Sequence, residues 1–248
     1  MHTRRSIMIR ILSARLPDKV DRSAPLTPPV LPTAPTGAAT IHAHQSSPRA
    51  SSRLRAAVSE VVTHLYPAMR STTCWDEEGQ NRCVWSSAAA AEYLRRRGIR
   101  ARVIYGACMV NLVDAAGETQ WLGGALRIGL PDARTGHPGL HALVEVADTS
   151  GPWLLELNLW QAKRPRFPGL PDAALVSKDL NRRIDAYPEY RVGGMLPRDA
   201  DGYRVHLLTA PTRRWRRGSY GDLQHDRATS VADIMEERVR TQVDALAT

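Results

Sequence analysis

The sequence predicts an α+β fold in which helices come first, an antiparallel sheet follows and a further helix closes the chain. Three observations predict it. Apolar residues recur at helical spacing from Leu54 to Leu65, an alanine-rich stretch opened by Cys83 runs to Gly98, and segments of strand composition separated by turn residues fill most of the chain from Ala101 to Leu159. With 248 residues, 43% of them apolar, the chain is long enough for one core, and a second full domain is not expected.

Taken in order, residues 1–50 read as a disordered arm and residues 51–248 as a single domain. From Leu16 to Ala50 the chain is rich in Pro, Thr, Ala and Ser and has no periodic apolar face, so it lacks the surface to bury. Its first residues begin like a signal peptide, but Arg10 and Arg15 interrupt the apolar run, and no stretch reaches the roughly 18 apolar residues that span a bilayer. Ser51 or Ser52 is a plausible N-cap for a helix carrying Leu54, Val58, Val61, Val62 and Leu65, which Pro67 should stop. A loop from Arg70 to Arg82 holds Cys74, Asp76-Glu77-Glu78 and the breaker Gly79, and leads into the Cys83 helix.

Ala101 to Val113 and Trp121 to Ile128 then read as strands around a turn at Gly117, and a Gly/Pro-rich link from Pro131 to Gly139 precedes His141. Leu140 to Val146 and Trp153 to Leu159 form a hairpin across Asp148-Thr149-Ser150-Gly151-Pro152. Phe167 to Pro197 is loop-rich, with one helical candidate near Pro171 to Ile184, and Tyr203 to Leu208 reads as a strand. The last helix should run from Val231 to about Leu246, with Ser230 as N-cap, Asp233 as its capping-box partner, and Ile234, Met235, Val239, Val243 and Leu246 along one face.

The formal net charge of +9 favours acidic partners in general. It is weak evidence for nucleic acid, because 31 of the 34 basic residues are arginine, a bias that a GC-rich coding sequence produces unaided. The cluster Arg213-Arg214-Trp215-Arg216-Arg217, joined by Lys163-Arg164-Pro165-Arg166, mixes cations with an aromatic as phosphate-tracking surfaces do. Steering of an acidic protein or peptide substrate by Arg213, Arg214, Arg216 and Arg217 is the preferred reading. Three cysteines, Cys74, Cys83 and Cys108, are too few and too odd in number for a disulfide framework and point to a reducing, cytoplasmic setting.

Chemistry concentrates at Cys83 and His141. A thiol in the first turn of a helix faces unpaired backbone N–H groups and the positive end of the helix dipole, which favour the thiolate. A nearby imidazole favours it further and supplies a general base, the pairing on which cysteine acyl transfer rests. Taken singly these residues read as packing: a cysteine beside alanines as a small core residue, His141 as a satisfied strand histidine, Cys108 as core, and Cys74 as a loop residue or a resolving thiol. A zinc site from Cys74, Cys83 and one of His64, His137 or His141 is disfavoured, because Cys-x8-Cys is not a usual zinc spacing.

The order of the pieces decides between these readings. Leu94-x-x-x-Gly98-Ile99-x-Ala101-Arg102-x-x-x-Gly106, with Cys83 upstream and His141-Ala142-x-Val144-Glu145-Val146 downstream, resembles the transglutaminase-like superfamily of papain-fold thiol enzymes over roughly residues 82–158. The chain departs from that pattern in having Leu143 where an aromatic is usual, Arg100 in place of proline, and no glycine just before Cys83. The resemblance implies a transglutaminase-like or papain-like core, with the Cys83 helix packed on a sheet that carries His141 and Asn158. It implies Cys83 as nucleophile, His141 as general base and Asn158 as the residue that orients the imidazole, as in a Cys-His-Asn triad. Glu156 is the alternative third member, and strand alternation puts Glu156 and Asn158 on the same face, so pattern alone does not choose. The Cys83 N–H would meet the oxyanion together with a second donor, Gln80 or Trp85. No cofactor and no metal are required. The expected activity is acyl transfer or amide hydrolysis on a protein or peptide through a Cys83 thioester. Its rivals are an inactive binding module of the same fold and a basic nucleic-acid-associated protein.

Overall fold

The computed structural model describes residues 40–41, 49–72, 82–113, 126–130, 141–162, 170–196, 202–211 and 219–247, all within one compact unit, Pro32–Thr248. Its elements run in chain order as β1 (Thr40–Ile41), α1 (Ser52–Arg70), α2 (Arg82–Arg96), β2 (Arg100–Leu112), β3 (Leu126–Ile128), β4 (His141–Asp148), β5 (Gly151–Glu156), a 3-10 turn (Leu159–Ala162), β6 (Ala174–Ser177), β7 (Arg182–Arg183), β8 (Arg191–Met195), β9 (Tyr203–Thr209) and α3 (Ser219–Ala247). The class is α+β: among the described residues three helices accompany one sheet of strand order β1-β6-β5-β4-β2-β9-β8-β7, with β3 also paired to β2. Every pairing is antiparallel except β1 with β6. Among the described residues no helix is long and apolar enough to cross a membrane.

Alternation along the strands separates a cluster under the helices from one on the opposite side, and a third gathers Ala107, Met109, Tyr190, Val192 and Leu208. Val144, Val146, Trp153 and Leu155 face the helices, where they join Leu54, Val58, Val61 and Leu65 of α1, Ala89, Ala90, Tyr93 and Leu94 of α2, and Val231, Ala232 and Met235 of α3. Leu143, Leu154, Val176, Cys108, Val110, Val205 and Leu207 fill the opposite side. The β8–β9 pairing shifts register between Val192 and Gly194, as at a bulge. A Cβ on Gly193 would press on Thr209 and Leu154, and one on Gly194 on Val176, so the two glycines ease the approach of β8 to β5 and β6.

Several expectations hold and several are corrected. Ser51 caps α1, its Oγ accepting from the Leu54 N–H at 3.1 Å. Asp148, at the β4–β5 turn, accepts from Ser51 N (2.8 Å) and Ser51 Oγ (2.6 Å) and so ties the start of the helix to the hairpin. Pro67 does not stop α1, which continues to Arg70. The proline forgoes one backbone bond, but burial of Ala68 and Met69 holds the last turn in place. The helical candidate at 171–184 is instead β6 and β7: Ala174-Leu175-Val176 is covered on both faces and pairs with β5, and this tertiary pairing overrides local propensity.

α3 starts at Ser219, so Ser230 is an interior residue rather than an N-cap. Its Oγ donates to the Asp226 carbonyl (3.1 Å), and Asp233 pairs with Arg96 of α2 at 2.6 Å instead of closing a capping box. Val243 and Leu246 are exposed, so the buried face of α3 is formed by Ala228, Val231, Ala232 and Met235. Within the predicted arm, Thr40 and Ile41 form an edge strand on β6. The rest of residues 1–48 lies outside the described residues, as do Cys74, Gln80, Gly117, His137, the 131–140 link, Lys163 to Arg166, and the cluster Arg213, Arg214, Arg216 and Arg217.

Candidate active site

Cys83 is the second residue of α2 and is partly exposed. The turn it opens is pinned to the sheet by Ser87, whose Oγ donates to the Ala142 carbonyl at 3.0 Å. That contact sets the start of α2 beside His141, the first residue of β4. On the neighbouring strand His141 is in register with Gly106. Gly129 closes in from another side. With φ of 74° and a Cα so near that any Cβ would overlap the His141 Cβ, position 129 admits only glycine, and Tyr190 Oη holds its carbonyl at 3.3 Å.

The partner of His141 is Glu156. Val144 pairs with Leu155, so one further step sets Leu143 opposite Glu156, and His141 lies two residues on along the same face. His141 Nε2 donates to Glu156 Oε2 at 2.5 Å with both side chains buried. The Cys83 thiol lies beside the imidazole and, with Glu156, favours its protonated form. Because Nε2 is taken by the carboxylate, Nδ1 is the nitrogen left for sulfur. Burial disfavours charge on His141, but the hydrogen-bonded Glu156 carboxylate and the neighbouring Cys83 outweigh it, and the imidazole is held well above its ordinary value.

Asn158 does not take the orienting role. β5 ends at Glu156 and the chain turns into the 3-10 segment, so strand alternation no longer governs residue 158. Its side chain swings toward the helices, where Oδ1 accepts from Tyr66 Oη (3.0 Å) and Nδ2 donates to Ser86 Oγ (3.1 Å). Only its backbone returns to the site, the Asn158 N–H donating to Glu156 Oε1 at 2.5 Å. Both carboxylate oxygens are therefore held, one by backbone and one by the imidazole.

Trp85 packs in the apolar cluster between helices and sheet, which gives its side chain a core role in place of the expected oxyanion contact. Cys108 is core, as expected, and burial, with Glu156 nearby, pushes its thiol well up. Tyr66 stands edge-on to Trp160, ring centres 5.3 Å apart, and its single O–H proton is shared between the Leu157 carbonyl (2.6 Å) and Asn158 Oδ1 (3.0 Å). Among the described residues no three His, Cys, Asp or Glu side chains are gathered for a metal ion. Sequence reasoning missed Tyr66, Ser86, Ser87 and Gly129, none of which it singled out. No family model, no curated protein and no solved structure matches the chain.

Proposed function

We propose that the chain is a thiol enzyme of transglutaminase-like kind, with a papain-like core, that carries out acyl transfer or amide hydrolysis through a thioester on Cys83. The observation that carries the reading is a buried imidazole hydrogen-bonded to the Glu156 carboxylate, with the Cys83 thiol beside it. Cys83 attacks the carbonyl carbon of an amide as thiolate, its proton having passed to His141 Nδ1, and the carbonyl π pair moves to oxygen, where the N–H groups that open α2 stabilise it. Collapse of this adduct expels the amine, which takes a proton from His141 Nδ1. Water or a second amine then attacks the thioester while His141 takes up the attacker's proton, and Cys83 is released. Glu156, in the place first given to Asn158, fixes the ring and offsets its positive charge.

The substrate class is a protein or peptide amide, and the net charge of +9 favours acidic ones. Cys83 and Cys108 are both free, which supports a reducing, cytoplasmic setting.

The test is the pH dependence of Cys83 alkylation by iodoacetamide, followed residue by residue by mass spectrometry, in the wild type and in His141→Ala. The expected midpoint lies below the ordinary thiol value of about 8.5 and rises when His141 is removed. A midpoint equal to that of a free thiol and indifferent to His141 overturns the reading.

A further inference from the structure

Asn158 is completely buried and touches three separate parts of the site. Its N–H holds Glu156 Oε1 at 2.5 Å, its Nδ2 donates to Ser86 Oγ at 3.1 Å, and its Oδ1 accepts from Tyr66 Oη at 3.0 Å. Ser86 lies one turn beyond Cys83 on α2, with its Oγ 3.3 Å from the Cys83 carbonyl and 3.2 Å from Asn158 Oδ1. The carboxylate that orients the base and the turn that presents the nucleophile are thus joined through one residue, although they come from a strand and a helix far apart in the chain. The tie between α2 and β4, Ser87 to the Ala142 carbonyl, fixes the helix to the backbone beside His141 and does not reach the carboxylate.

We infer that Asn158 is a positioning residue that sets the spacing of Cys83 and Glu156 across His141, acting on the helix through Ser86 and on the carboxylate through its own backbone. This rests on the proposed thiol chemistry and adds to it a residue that touches neither sulfur nor imidazole. Without the amide, α2 keeps its Ser87 tie but is no longer registered to Glu156. The thiol–imidazole contact then loosens while every titrating group stays in place.

The experiment measures the pH profile of Cys83 alkylation in Ser86→Ala and Asn158→Ala, beside thermal unfolding of each. Val231→Ala, in the buried face of α3, shows what loss of stability does to the profile without any change at the site. The expected result is a midpoint raised by about one pH unit in Asn158→Ala, equivalent to about tenfold slower alkylation at pH 6. Ser86→Ala should give a shift in the same direction, the double variant one no larger than Asn158→Ala alone, and Val231→Ala none. Ser86→Ala tests the link by itself should Asn158→Ala not fold, because alanine is a better helix former and leaves the Asn158 N–H on Glu156. A folded Ser86→Ala with the wild-type profile overturns the inference and leaves the thiol chemistry standing. A wild-type Cys83 that alkylates like a free thiol, with or without His141, overturns both.

Discussion

His141 and His206 are buried to the same extent in the same sheet, each 2% exposed, yet they titrate in opposite directions. His206, on β9, has Nδ1 3.3 Å from Asn111 Nδ2, an amide that donates to it and so favours the neutral ring. Burial, with Arg204 and Arg182 nearby, pushes its pKa down to about 3. His141 suffers the same loss of solvent, but a carboxylate lies against it, and its pKa is raised. Burial alone therefore makes a neutral histidine. A hydrogen-bonded carboxylate, with the Cys83 sulfur beside the ring, reverses the sign, and of the two His141 is the ring whose surroundings favour the protonated form.

The largest way to break this contrast is to make His141 resemble His206. Glu156→Gln keeps shape and removes charge, and should slow the Cys83 reaction about a hundredfold or more, the range of general acid–base effects. A titration of the His141 ring protons by NMR should show its pKa falling in the same variant. Conversely, Asn111→Asp gives His206 a carboxylate and should raise its pKa by about two units or more, read from the same ring resonances.

Gly129→Ala tests whether the wall behind His141 is as tight as its geometry. The positive φ costs about 1–3 kcal/mol, and the overlap with His141 adds to it, so a fall in Tm should be accompanied by slower Cys83 alkylation.

The smallest effect is on stability against pH. His206 has a folded-state pKa below its unfolded one, so its contribution is present above pH 6.5 and is lost as pH falls from 6.5 towards about 3. His141, raised, contributes fully below pH 6.5 and loses that contribution as pH rises through its folded-state value. Thermal unfolding of His206→Gln should therefore show a smaller loss between pH 7 and pH 4 than the wild type does.

The same contrast marks how far sequence reasoning reaches. Cys83 and His141 were legible because their order relative to Gly98, Ala101-Arg102 and Gly106 forms a pattern, and α1, β2, the β4–β5 hairpin and β9 because apolar spacing and turn residues are local signals. The choice between Glu156 and Asn158 was not legible, since alternation holds only inside a strand and nothing near Leu157 marks where β5 stops. The start of α3 was hidden for a related reason. Ser230 and Asp233 imitate a capping box, although the helix begins eleven residues further upstream, at Ser219. His206 gave no signal, because its role depends on Asn111 across the sheet.

The position of β2 between β4 and β9 has a consequence for how the molecule assembles. Gly106 pairs with His141 on one edge and with Thr209 on the other, so the central strand is half-finished until the ninth strand has been made. During synthesis, the Cys83 helix and the hairpin with His141 and Glu156 emerge early and wait with an open edge on β2, a state prone to pairing with the wrong chain. Closure by β9 joins segments far apart in sequence and should be slow. In the finished protein the amides of β2 should be among the last to exchange with solvent, a few residues away from a cysteine that must stay open to substrate.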